Sequence, residues 1–385
     1  MLARAAESAT AFPMHAFSPT ICPRLIVKVG SSLLVTPDGQ VRRDWLATLA
    51  SDVAARAKAG QQIAVVSSGA IALGARRLKL PKGGRANLED AQAAAATGQI
   101  ALSQIWAELL DSQGLTAAQM LITLDDLEDR RRYLNASATL NRLMTLGVVP
   151  VINEKDSVAT EEIRFGDNDR LAARIAQAAG AQGVILFSDV DGLFDANPLT
   201  QPDAQLVARV ERIDAGIDAM ASSDSASGMG SGGMASKIAA ARIATGAGIA
   251  LAIASGRIDH PLKAFGDTGR GTLFVAERSA SARKAWLSGG LTAKGEIMVD
   301  AGASTALASG KSLLAAGATG VSGKFKRGDL VAIIGPDGAA IARGLSEYDA
   351  ADAARLCGKR SEDQARILGY APRSALVHRN HMALL

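Results

Sequence analysis

The sequence predicts an α/β protein: a three-layer sandwich around a mostly parallel central sheet, followed by a small β-rich domain. From Arg24 onward, short apolar runs alternate with longer helical patterns. Several of those runs are near-continuous Val, Ile and Leu, as expected of parallel strands covered on both faces. After Val275 the pattern changes to short strands split by Gly, Asp and Lys turns. With 385 residues the chain exceeds the usual single core, so two domains are expected. A composition 48% apolar and 21% charged can fill a large globular core.

Taken in order, residues 1–23 carry Pro13, Pro19 and Pro23, little periodicity and no secretory-type apolar run, and are expected to be a mobile extension. Residues 24–277 form the expected first domain. Its strands are Leu25–Val29, Ile63–Ser67, Ala117–Ile122, Val148–Ile152, Val184–Phe187 and Ile249–Ile253. The helices between them are Asp44–Ala59, Leu88–Leu110, Arg131–Leu146, Asn168–Ala179 and Met234–Gly246. Strand–helix–strand alternation makes this a βαβ-type sandwich. Residues 278–290 are expected to be a linker and 291–385 the second domain, with strand signals at Gly295–Val299 and Asp329–Ile334.

Several function classes are disfavoured. No apolar run reaches the roughly 18 residues of a membrane span. Cys22 and Cys357 fall in different expected domains without metal-ligand or CxxC spacing, which points to a reducing cytoplasm. His378 and His381 have a spacing that can ligate metal, but a surface tail is the simpler expectation. Aromatics at 4% give little for base stacking. From residue 278 on there are 15 Lys and Arg against 9 Asp and Glu, a modest excess that leaves RNA contact open beside a solvated face.

In sheets of this kind ligands bind at the carboxyl ends of the strands, beside helix amino termini. Two lysines stand out there. Lys28 leaves an apolar run into Gly30-Ser31-Ser32, and Lys237 closes the glycine-rich Gly228-Met229-Gly230-Ser231-Gly232-Gly233-Met234-Ala235-Ser236. Backbone N–H groups in such turns face anions and the ammonium supplies charge, so two of these sites suggest phosphoryl transfer. Neither is a P-loop. The G-x-G-x-x-G at Gly228, Gly230 and Gly233 follows a polar stretch rather than a buried strand, which rules out a dinucleotide fingerprint.

Phosphoryl transfer depends chiefly on positioning and charge stabilisation. Ser68 and Gly69 stand at a strand-to-helix junction where an acceptor carboxylate is favoured, although Ser68 could equally be an N-cap. Asn153 to Asp156 and Gly166-Asp167-Asn168-Asp169 concentrate acidic and amide groups that can hold an amino acid or a lysine, or make up a charged loop capped at Asp167 or Asn168. Ser188-Asp189-Val190-Asp191-Gly192 suggests a nucleotide-site turn or a plain tight turn.

Val27 to Ser32, Ser67 to Ala72, Val151 to Thr160, Gly166 to Asp169, Ser188 to Leu193 and Ser231 to Lys237, in this order, resemble the glutamate 5-kinases, a branch of the amino acid kinase family. The tail resembles their PUA module. This resemblance implies the fold above and ATP-dependent phosphorylation of the L-glutamate side-chain carboxylate, the first step of proline synthesis. It implies that Lys28 and Lys237 act on the phosphoryl group and that Asp169 orients them and helps place Mg2+. Ser68, Asn153, Asp156, Asp167 and Asn168 would contact glutamate. Lys28, Ser188, Asp189, Ser231, Gly232, Gly233, Met234, Ala235, Ser236 and Lys237 would contact ATP. Mg2+ would come mainly through ATP, with no direct protein ligand assigned. A homo-oligomer, inhibition by proline and a downstream glutamyl phosphate reductase as partner are also implied. The alternatives are another small-acid kinase of the aspartokinase type, whose Lys-Phe-Gly-Gly opening differs from Lys28-Val29-Gly30-Ser31, and an RNA-binding protein acting through the tail.

Overall fold

The computed structural model describes residues 16–36, 40–158, 167–222, 233–276 and 293–385. The apolar runs of the first part become one eight-stranded sheet. Its strands are β1 (Arg24–Val29), β2 (Gln62–Ser67), β3 (Ala117–Leu121), β4 (Val149–Asn153), β5 (Gly183–Ser188), β6 (Arg209–Val210), β7 (Ala250–Ser255) and β8 (Thr272–Phe274). They lie in the order 3-4-2-1-5-7-8-6. β1 pairs in parallel with β2 and β5, and β4 with β2 and β3, whereas β8 runs antiparallel to β7. The expected mostly parallel sandwich is what forms.

The helices are α1 (Ser31–Leu34), α2 (Arg43–Lys58), α3 (Ala70–Arg77), α4 (Leu88–Asp111), α5 (Leu124–Glu128), α6 (Arg130–Thr145), α7 (Asn168–Ala179), α8 (Ala215–Ser222), α9 (Met234–Gly246) and α10 (Pro261–Thr268). Leu25, Val27 and Val29 of β1 pack with Leu46, Leu49 and Val53 of α2 and with Leu102, Trp106 and Leu110 of α4. A buried indole needs a partner for its N–H, and Trp106 Nε1 donates to Ser67 Oγ at 2.9 Å. α4 starts on an Asn87 cap that accepts the Asp90 amide. It crosses α3 at two glycines: a Cβ on Gly74 would sit 1.8 Å from the Ala94 carbonyl oxygen, and one on Gly98 1.8 Å from that of Ala70. Side chains there would force the helices apart, so the glycines set how close α4 lies to the start of α3.

The segment before Arg24 is not free throughout. Phe17 is 1% exposed and Cys22 0%, both in the main core. Phe17 meets the Phe265 ring edge-on at 5.7 Å, and Gln61 Nε2 donates to the carbonyls of Phe17 and Cys22. Burying such a ring is worth about 1.5–3 kcal/mol. Residues 16–23 are therefore anchored, which corrects the expectation of a mobile extension over that part.

The chain divides into two units, Met1–Leu127 with Ala136–Glu277 and Glu128–Asn135 with Arg278–Leu385. The segment 278–290 expected as a linker lies outside the described residues. The second unit holds β9 (Gly295–Val299), α11 (Ala301–Ala308), β10 (Ala318–Gly323), β11 (Leu330–Ile334), β12 (Ala340–Ser346), α12 (Ala350–Leu356), α13 (Ser361–Leu368) and β13 (Val377–Leu384). Its five strands run in the order 10-9-11-12-13. His381 sits on β13 at 4% exposure beside Glu347, so the carboxyl end is a strand paired into the sheet and not a surface tail. Among the described residues no helix is long and apolar enough to cross a membrane.

Candidate active site

The carboxyl ends of β1, β2, β4 and β5 deliver Lys28, Ser68, Asn153 and Ser188, and the amino termini of α7 and α9 deliver Asp169 and Lys237. The two lysines that are far apart in sequence meet on one carboxylate. Lys28 Nζ lies 2.5 Å from Asp169 Oδ1, and Lys237 Nζ 3.1 Å from Oδ2. All three residues are at least 93% buried, with exposures of 7%, 5% and 1%.

Their charges are tightly coupled. Burial pulls the Lys28 ammonium below its ordinary range, helped by the like charge of Lys237 and opposed by Asp169. Burial pushes Asp169 up, yet the two lysines together outweigh it and hold the carboxyl below the usual carboxylate range. The result is a buried pair of cations oriented by one anion.

A second link joins the same two helices. Asp167 caps α7 through the Arg170 amide, and it also accepts from Ser236 Oγ at 2.6 Å. α9 begins at Gly233 with no side-chain cap, so the amides of its first turn are not taken by a capping side chain. Such an end favours an anion. Met234 is buried and Ala235 exposed in that turn, while Ser231 and Gly232 lie outside the described residues.

Toward β4 the character changes from cationic to oxygen-rich. Asn153, Glu154, Asp156 and Asn168 are all buried, and Asn153 Oδ1, Asp156 Oδ1 and Asn168 Oδ1 have no hydrogen-bond partner among the described residues. Burial pushes the Asp156 carboxyl up to about 6, with the Arg85 guanidinium pulling the other way. Unpaired buried acceptors of this kind are costly unless a ligand completes them. Ser68 is also buried, but it does not cap α3. The capping position is Gly69, at φ +98, a left-handed backbone that glycine adopts without strain. At β5, Ser188 Oγ donates to Asp189, and the following turn is held by Arg270, which donates twice to Asp191.

Gln99, Arg85 and Arg270 were not evident in the sequence. Gln99 sits in the middle of a long helix and receives Asn153 Nδ2 at 2.7 Å, a pairing across 54 positions that no local pattern signals.

Buried lysines thus share one carboxylate at the strand ends of an open, mostly parallel sheet. Residues 23–255 match the Amino acid kinase family and residues 295–368 the PUA domain, and the chain belongs to the amino acid kinase family. It is 71% identical to the glutamate 5-kinase of Sphingopyxis alaskensis, over 97% of this chain and 100% of the relative. Identity is 65% to the glutamate 5-kinase of Zymomonas mobilis, over 96% of this chain and 93% of the relative. It is 61% to that of Novosphingobium aromaticivorans, over 94% and 96%.

Proposed function

We propose that this chain transfers the γ-phosphoryl group of ATP to the side-chain carboxylate of L-glutamate, giving L-glutamyl 5-phosphate and ADP, the entry step of proline synthesis. The observation that carries the reading is the buried Lys28–Asp169–Lys237 arrangement, because phosphoryl transfer needs fixed cations where charge spreads over the moving group. A carboxylate oxygen of glutamate attacks the γ-phosphorus as the bond to the β–γ bridging oxygen breaks. The new P–O bond makes an acyl phosphate, and the electron pair leaves on ADP.

The nucleotide phosphates lie at the start of α9, over Gly233 to Lys237, and the resemblance adds Ser231 and Gly232 as ATP contacts. Ser188 and Asp189 serve the nucleoside side. Glutamate lies between Ser68 and the oxygen-rich end of β4. Asp156, Asn153 and Asn168 take its α-amino acid end, and Ser68 with the α3 terminus takes the reacting carboxylate. Lys28 and Lys237 stabilise the charge, and Asp169 keeps both ammonium groups aimed.

Magnesium fits as an ion carried by ATP. Both Asp169 oxygens are engaged by lysines. Bound to the phosphates, it neutralises part of their charge. A homo-oligomer, and a reductase that consumes the labile acyl phosphate, belong to the same proposal. So does a division into a kinase domain at 24–277 and a PUA-like domain at 291–385.

The test is ADP release with ATP and glutamate, set beside aspartate. Glutamate-dependent turnover with aspartate at background supports the assignment, and preference for aspartate overturns it.

A further inference from the structure

The strongest lead outside the residues already assigned is the link between α4 and the end of β4. Asn153 is 2% exposed, and its amide is divided between two tasks. Nδ2 donates to Gln99 Oε1 at 2.7 Å, while Oδ1 is buried with no partner among the described residues. An amide end that donates to a carbonyl oxygen cannot be exchanged for its own oxygen without setting two acceptors face to face. With Gln99 Oε1 turned to Asn153, the end of Asn153 left for a ligand is Oδ1.

That end is an acceptor, and it has company. Asp156 Oδ1 and Asn168 Oδ1 are likewise buried and unpaired among the described residues, at the end of β4 and the start of α7. Acceptors at that end of the sheet call for a ligand with several N–H donors, and an ammonium offers three. The position of Gln99 is itself fixed. Its neighbour Gly98 lies so close to α3 that an added Cβ would stand 1.8 Å from the Ala70 carbonyl oxygen, so α4 cannot approach or roll freely there.

We infer that Gln99 is a positioning residue for acceptor specificity: by holding Asn153 Nδ2 it presents Asn153 Oδ1 to the α-ammonium of the acceptor amino acid, and so favours amino diacids over diacids that lack the amine. The inference rests on the proposed placement of glutamate beside Asn153.

The experiment uses the full chain with glutamate and with glutarate, the same diacid without the amine, read as substrate or as competitive inhibitor. Gln99→Leu removes the acceptor at similar size. It lowers kcat/KM for glutamate by about 10-fold, mostly through KM, since a hydrogen bond to a charged group is lost or misaligned. KM for ATP stays within about twofold and glutarate is unaffected, so the preference for glutamate over glutarate narrows by the same factor. Gln99→Glu keeps an acceptor for Nδ2 and retains most of the preference. Should leucine unfold the chain, Gln99→Ala makes the same comparison. Equal losses on glutamate and glutarate, or no loss on either, overturn the inference. Asn153→Ala separates it from the reading beneath: if that variant narrows the preference and Gln99→Leu does not, only the role of Gln99 falls. If Asn153→Ala leaves the preference untouched, the placement of the ammonium at Asn153 is wrong and the role of Gln99 falls with it.

Discussion

Asp169→Asn keeps the shape of the side chain and removes the charge that two buried ammonium groups share. At 2.5 Å and 3.1 Å from Lys28 and Lys237, and 1% exposed, Asp169 has no solvent to take its place. Removing one partner of a buried ion pair costs about 3–5 kcal/mol. For a domain of this size each kcal/mol lowers the melting temperature by roughly 2–4 °C, so a drop of about 6–20 °C is expected. Lys28 can limit that cost by giving up a proton. Burial already draws Lys28 below its ordinary range, and Asp169 is the largest influence opposing this. Without it Lys28 falls further, and the relief in stability becomes a loss of cation at the phosphoryl group. The variant should lose about 10²–10⁴ in kcat, the usual scale for a preorganised charge in a water-poor site. A lysine with a lowered pKa carries charge only below that value, so the variant's remaining kcat should decline at lower pH than the parent's as pH rises. Thermal melting and a pH profile of kcat at saturating substrates test both halves. A variant that melts with the parent, keeps its pH profile and turns over within about threefold would refute the coupling of these three residues.

Lys28→Arg and Lys237→Arg should each lower kcat by about 10² or more while leaving KM for glutamate little changed, because a planar guanidinium does not replace a compact ammonium; steady-state kinetics decide it, and near-parental kcat would count against a point-charge role. Asp156→Asn should raise KM for glutamate far more than KM for ATP, and should also stabilise the ligand-free protein near neutral pH. The sign follows from a folded value of about 6 against an ordinary 3.8: the folded state holds its proton longer, so stability falls as pH rises between these values, and the substitution relieves a penalty of up to about 3 kcal/mol. Melting at pH 7.5 without ligand reads this, and a destabilised Asp156→Asn would mean the carboxylate has a partner of its own. Deleting residues 291–385 should leave a folded domain that still consumes ATP with glutamate, since every residue assigned to the chemistry precedes that segment; a soluble, folded but inactive truncation would show that the second unit takes part.

The strands were legible where burial on both faces demands uninterrupted apolar residues: Arg24–Val29, Gln62–Ser67 and Gly183–Ser188 each fall within a residue of the expected runs. β6, with only Arg209 and Val210, is too short to leave a periodic trace, and β8 is a three-residue strand whose antiparallel pairing is a tertiary choice. The packing of Phe17 was hidden because proline-rich, aperiodic sequence resembles a free terminus until its partners Gln61 and Phe265 are brought near by the fold. In the second unit the small residues of α11, Ala301–Ala308, gave no amphipathic stripe, so that helix went unseen beside the strand signals. At the site, Lys28, Asp169 and Lys237 could each be noticed from motifs and the resemblance, yet the sharing of one carboxylate needs the sheet to bring β1, α7 and α9 together. The Asn153–Gln99 bond needs the α3–α4 crossing as well, and no spacing rule along the chain encodes it.

In the proposed reaction a side-chain carboxylate of glutamate receives the phosphoryl group. Trapping the product with hydroxylamine, and locating the resulting hydroxamate by mass spectrometry, tests the bond that forms. An ATP-dependent hydroxamate on the side-chain carboxyl of glutamate is expected, lost in Lys237→Ala. A hydroxamate on the α-carboxyl, or ATP consumed with glutamate present and no hydroxamate formed, would contradict it.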